Sequence, residues 1–135
     1  MGLFQQDVKV LDASGREIAI VKCWVDTASS YTWLPAAIRD ELGLQPRREE
    51  TFVLADGRRE RRRIAQVTIS LGVREDEEAF ATYCAFADEG EEYLLGAIAL
   101  EEAGLAVDMK NHKLVVADAY ALTRLDGYGR TQVQS

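Results

Sequence analysis

Apolar and polar residues alternate along short stretches of this chain, and residues that favour turns separate the stretches. Between Phe4 and Leu11, Val8 and Val10 share one face. Between Glu17 and Val25, Ala19, Val21, Cys23 and Val25 fall on one side and Ile18 and Ile20 on the other. A period of two predicts strands. Ala13-Ser14-Gly15 is a turn signal between them, so the pair is expected to form a hairpin leading into Asp26.

The pattern continues in the same style. Thr32 to Leu34 is a short extended piece, and Pro35 suits the first turn of a helix, where its missing N–H leaves no bond unmade. That helix is predicted over Ala36 to Leu42, with Gly43 just beyond its end. Strands are predicted over Arg48 to Leu54 and Arg58 to Leu71, joined by a tight turn at Asp56-Gly57. Gly72 to Glu77 reads as a charged turn, Glu78 to Ala87 as a strand and Asp88-Glu89-Gly90 as another turn. Tyr93 to Leu95 is a short buried strand ending at Gly96, and Ile98 to Ala103 a short helix closed by Gly104. A last hairpin is expected from Ala106 to Asp108 and Lys113 to Ala117, turning at Asn111-His112. The sum is a mainly β domain, a closed barrel or sandwich of short antiparallel strands with one or two short helices. It is expected over 1–118, followed by a tail at 119–135 with few apolar residues.

Composition narrows the function classes. A chain of 135 residues suits one domain with a real core. No apolar run approaches the roughly 20 residues that span a bilayer, and residues 1–6 lack the basic and apolar regions of a signal peptide. A net charge of −7 argues against general nucleic-acid binding, which relies on neutralising phosphates. Cys23 and Cys84 lie in strand-like apolar segments and read as reduced core residues, which suits a cytoplasmic protein. No Cys-x-x-Cys or paired-His spacing supports a metal site, and His112 is the only histidine, in a predicted turn, so a Ser-His-Asp arrangement has no base.

The chemistry concentrates at Asp26-Thr27-Ala28-Ser29, a carboxylate at the end of a buried strand followed by a hydroxyl and small residues. A buried carboxylate is costly unless something uses or satisfies it. The plain alternative is a strand-ending turn or helix cap. Peptide hydrolysis by carboxylates needs two acids that share a water and a proton. Only one segment of this kind occurs, so a catalytic Asp26 requires Asp26 of a second chain and a C2 pairing.

The segment Val25-Asp26-Thr27-Ala28-Ser29 resembles the active-site segment of retroviral-type (retropepsin-type) aspartic proteases, written hydrophobic-Asp-Thr/Ser-Gly-Ala/Ser. Trp33-Leu34-Pro35 with the helix to Gly43 is similar to bacterial-type members of that group. The hairpin from Phe52 to Arg58, Leu94-Leu95-Gly96 with the helix after it, and Gly104 to Asp108 follow in matching order, so the resemblance covers Val8 to Val116. It implies an aspartic endopeptidase of retropepsin-like fold that acts on peptides or proteins as a homodimer, without metal or cofactor. In that reading Asp26 of each chain activates one water and Thr27 bonds across the dimer axis, while Ala28 and Ser29 complete the active loop. The hairpin tip at Ala55, Asp56 and Gly57 forms the flap, and Leu94, Leu95 and Gly96 pack behind the loop. The 119–135 tail is then expected to be either poorly ordered or part of the interface. Ala28 departs from the family's glycine. The implied alternative is a silent dimer that keeps the fold and serves as a peptide-binding or assembly module. A negative φ at Ala28 would let the alanine stand.

Arg58 to Arg63 is locally basic. It reads as a charged hairpin arm that discourages edge pairing, as a nucleic-acid contact, or as arginines near the flap that favour acidic substrates.

Overall fold

The computed structural model describes residues 2–119 together with 123–125 and 131–133. Thirteen elements follow one another: β1 (Gln5–Leu11), β2 (Glu17–Val25), β3 (Thr32–Pro35), α1 (Ala36–Leu42), β4 (Arg48–Val53), β5 (Arg59–Ser70), β6 (Phe80–Ala87), β7 (Leu94–Leu95), α2 (Ala97–Ala103), β8 (Leu105–Asp108), β9 (Lys113–Val116), β10 (Thr123–Leu125) and β11 (Thr131–Val133). The first seven strands form one sheet in the order β1-β2-β7-β3-β6-β5-β4. A further pairing of β1 with β5, Lys9 opposite Ser70, closes six of them into a ring and leaves β4 outside it. β8 and β9 form a separate hairpin. The expected tail falls for the most part outside the described residues, apart from an antiparallel pairing of β10 with β11.

The alternation along β2 sets the inside of this ring. Val21, Cys23 and Val25 are buried, while Ile20 on the opposite face is 56% exposed. Val8, Val10, Leu34, Val67, Ile69 and Leu95 join them in one core. Each fully buried side chain of this size contributes about 1.5–3 kcal/mol. A second cluster, Trp33, Ile64, Ala85 and Ala87 with Tyr31 and Phe52, sits where the β4–β5 arm leaves the ring.

Two pairings are parallel, β2 with β7 and β3 with β6. Neither is joined by a hairpin: each partner arrives from elsewhere in the chain, so the sheet is mixed rather than wholly antiparallel. Pro35 differs from its predicted place. It lies at φ −57°, ψ 140°, as the last residue of β3 and the cap before the first helical residue. β6 begins at Phe80 rather than Glu78. The Glu77 carboxylate accepts from the Ser70 hydroxyl at 2.8 Å, from the Leu71 N–H at 2.9 Å and from the Gly72 N–H, which holds the preceding segment as a loop. The arm closes through a three-residue loop. Gly57 N–H donates to the Leu54 carbonyl at 2.9 Å and Leu54 N–H to the Arg58 carbonyl at 2.8 Å. Gly57 takes φ 85°, which a residue with a Cβ adopts only at a cost.

Candidate active site

β2 delivers Asp26, and β7 holds it in place. Trp24 N–H donates to the Tyr93 carbonyl at 2.9 Å and Asp26 N–H to the Leu95 carbonyl at 3.0 Å. Beyond β7, Ala97 N–H donates to the Ser29 carbonyl (2.8 Å) and Ile98 N–H to the Ser30 carbonyl (3.1 Å). The start of α2 therefore clamps the loop that follows Asp26. Gly96 N–H donates to the Thr32 hydroxyl at 3.1 Å, a bond buried between the two segments. Leu95 and Gly96 are thus placed behind the loop, and Leu94 lines its cleft.

Within the loop, Ser29 N–H donates to the Asp26 carbonyl (3.1 Å), and Ala28 N–H donates to the Asp26 Oδ1 (3.0 Å). The carboxylate is oriented by a backbone donor next to it in the chain. Ala28 keeps an ordinary backbone: His112 is the one non-glycine residue with a positive φ among the described residues. The methyl group therefore meets no left-handed strain. Ser29 and Thr32 do not reach the carboxylate. Ser29 Oγ donates to the Tyr31 carbonyl at 2.7 Å, and Thr32 Oγ1 serves Gly96.

A cleft of about 870 Å³ opens between this loop and the β4–β5 arm. Asp26, Ala28 and Ser29 lie on one side, Phe52, Leu54 and Ala55 on the other, and Tyr31, Trp33, Leu94 and Ile98 between them. Phe52 meets Trp33 edge-on at 4.8 Å and Tyr31 at 5.7 Å, so the arm leans on the cleft floor through aromatic contact. Thr27 is exposed and outside the cleft lining, and Asp56 and Gly57 are exposed at the arm's tip.

Charge follows a pattern that the sequence did not reveal. Glu50 and Glu92 line the cleft, and no arginine does among the described residues. The Arg48 guanidinium, 2.6 Å from Glu50, holds that carboxyl below the usual range. Arg62 turns inward with its side chain 12% exposed. It bonds both oxygens of Glu91 (2.8 and 2.9 Å), Glu60 and the Phe86 carbonyl, and it lies 5.1 Å over the Trp33 ring. Arg59, Arg61 and Arg63 are exposed on the other face of the arm. None of these arginines lines the cleft among the described residues, because strand alternation sends Arg59, Arg61 and Arg63 outward.

Other candidate nucleophiles are removed by burial. Cys23 and Cys84 are free and buried, and desolvation pushes the Cys23 thiol up to about 12 and the Cys84 thiol higher still. His112 is exposed in the β8–β9 turn, stacked on Phe4 at 6.3 Å.

No protein-family profile matches the chain, and no curated protein does. Solved structures do. The fold is similar to that of the retroviral protease-like domain of Ddi1 from Leishmania major, with a TM-score of 0.54 at 15% identity over 88% of this chain and 91% of that one. A retropepsin-like aspartic protease from Rickettsia conorii is also similar, at a TM-score of 0.47 and 20% identity over 75% of this chain and 83% of the other. The chain has a retropepsin-like fold.

Proposed function

We propose that this chain is an aspartic endopeptidase that hydrolyses peptide bonds as a homodimer. The observation that carries the reading is the place of Asp26: at the end of a core strand, oriented by the Ala28 N–H, on one side of a cleft with Trp33 on its floor and Phe52 facing across it. Two such carboxylates brought together by a two-fold axis share one proton, because like charges that close cannot both ionise. The ionised one takes a proton from a bound water as the water oxygen attacks the scissile carbonyl carbon. The protonated one donates to the carbonyl oxygen. The tetrahedral product collapses when a proton passes to the leaving amine and the C–N bond breaks. Thr27, exposed on the single chain, is available for contact across the axis. The arm from β4 to β5 acts as the flap that excludes water from the bound peptide. A place among bacterial-type members of the fold rests on the Trp33-Leu34-Pro35 run.

The competing reading is a silent dimer that binds extended peptides. It rests on Ala28, and the absence of a positive φ at that residue favours the active reading. The test is cleavage of a diverse peptide mixture from acidic to neutral pH, beside Asp26→Asn, with sedimentation to establish the dimer. Cleavage abolished by the substitution supports the endopeptidase. A dimer that cleaves nothing overturns it in favour of the binding module.

A further inference from the structure

The β4–β5 arm leaves part of β5 unpaired. Leu54 N–H bonds the Arg58 carbonyl, so even-numbered residues of β5 face β4 in the antiparallel ladder and odd-numbered ones face away. On that far side β6 pairs with β5 only from Ala65 onward, and then turns off to run beside β3. The backbone N–H and C=O groups of Arg59, Arg61 and Arg63 therefore have no strand partner among the described residues. Where β5 and β6 part, a pocket of about 370 Å³ opens, lined by Arg39, Arg61, Arg62 and Arg63 with one acid, Asp88, and by Phe86 among others.

Arginines dominate one face of this edge, with a single acid, Glu49, beside Arg61 and Arg63. Arg61 pairs with Glu49 at 2.8 Å, both partners well exposed, and Arg59 and Arg63 enter no ion pair among the described residues. Opposite Arg59, Arg61 and Arg63 on β4 stand Val53, Thr51 and Glu49. Solubility does not call for this stripe, since the chain is already at −7. Charged side chains, basic ones above all, keep a sheet edge from pairing with strands at large. Arg59, Arg61 and Arg63 on one face also discriminate: they repel basic strands and attract acidic ones.

We propose that the open edge of β5 at Arg59–Arg63 is a docking site for an extended acidic peptide segment of another protein, which adds as a strand. Alternate residues of a strand lie about 6.7 Å apart on one face. Acids at every second position then meet the three guanidiniums in register, while the backbone groups of the same residues complete the ladder. The end of the segment reaches the pocket beside Arg39. The edge lies outside the cleft and serves binding whether or not the cleft cleaves.

The test is fluorescence anisotropy of the full chain with a labelled peptide of alternating Glu and Val, about seven residues long. Controls are its Lys counterpart, the Glu peptide N-methylated on alternate amides, and a single-stranded oligonucleotide. The Glu peptide is expected to bind, the Lys peptide not, and N-methylation to weaken binding. Binding should also weaken as salt rises through the range where the Debye length falls below about 8 Å. Arg61→Glu/Arg63→Glu, with its thermal unfolding checked, should weaken binding about tenfold or more. Arg61→Lys/Arg63→Lys should retain much of it. Equal binding of Glu and Lys peptides overturns the proposal, as does no effect of the charge reversal or of N-methylation. Preference for the oligonucleotide overturns the partner class, and self-association lost on charge reversal assigns the edge to a second copy instead. Asp26→Asn should leave all these affinities unchanged, which separates this site from the cleft.

Discussion

A Cβ built on Gly96 would lie 2.4 Å from the Tyr31 carbonyl oxygen and 2.8 Å from that of Ser30. Gly96 itself sits at φ −93°, ψ 174°, a conformation open to any residue. Space, not backbone freedom, demands the glycine. Gly96→Ala must push the loop after Asp26 away from α2, and overpacking of this kind costs about 1–3 kcal/mol, more against backbone. Urea denaturation should show that loss, and peptide cleavage should fall with it.

Ala28 presents the opposite case. With no positive φ at that position, Ala28→Gly frees the unfolded chain without relieving strain. The variant should be less stable by about 0.4–1 kcal/mol. A gain in stability on denaturation would show that the methyl group is strained after all.

Two buried threonines predict opposite signs. Thr32 Oγ1 accepts the buried Gly96 N–H, so Thr32→Val orphans that donor and should cost about 1–3 kcal/mol. Thr82, also buried, has a hydroxyl with no partner among the described residues. Thr82→Val removes an unsatisfied group and should be neutral or stabilising by about 1 kcal/mol. Parallel thermal unfolding of the two variants checks the contrast.

Arg62 predicts a pH dependence. Hydrogen bonding to the Arg62 guanidinium, with help from the Asp88 N–H, holds the Glu91 carboxyl below its usual range. A carboxyl lowered on folding stabilises the protein above its unfolded pKa, and that contribution is lost as pH falls through the folded value. Wild type should therefore lose stability below about pH 4.3. Glu91→Gln should flatten that part of the profile. Arg62→Leu should cost about 1–3 kcal/mol at neutral pH, where it leaves Glu60 and Glu91 without their cation. Denaturation measured across pH on the three proteins tests the sign.

Phe52 links the arm to the floor of the cleft. Phe52→Ala removes edge contacts to Trp33 and Tyr31, each worth about 0.5–1.5 kcal/mol beyond the buried area. Backbone hydrogen exchange in β4 and in the arm portion of β5 should speed up, while β1 and β2 keep their protection.

Local chemistry settled much of this protein before its shape was known. The period of two along Glu17–Val25 marked a strand and its buried face, because alternation and burial are both set by neighbouring residues. The turn at Asp56-Gly57 and the helix from Ala36 to Leu42 were legible for the same reason. Asp26 stood out as a carboxylate at the end of an apolar strand. What stayed hidden depends on partners distant in the chain. No local pattern says that Leu94 and Leu95 run parallel to β2, that Gly96 presses on Tyr31, or that β1 closes the ring against β5. Nor does the run Arg58–Arg63 say which arginine turns inward. Alternation allots odd and even residues to two faces, but only the packing of Trp33, Glu91 and Phe86 around Arg62 decides which face is the inside. The sequence by itself determined the elements and the candidate carboxylate. The tertiary structure decided the walls of the cleft and the open basic edge, because both are made where segments far apart in the chain meet or part.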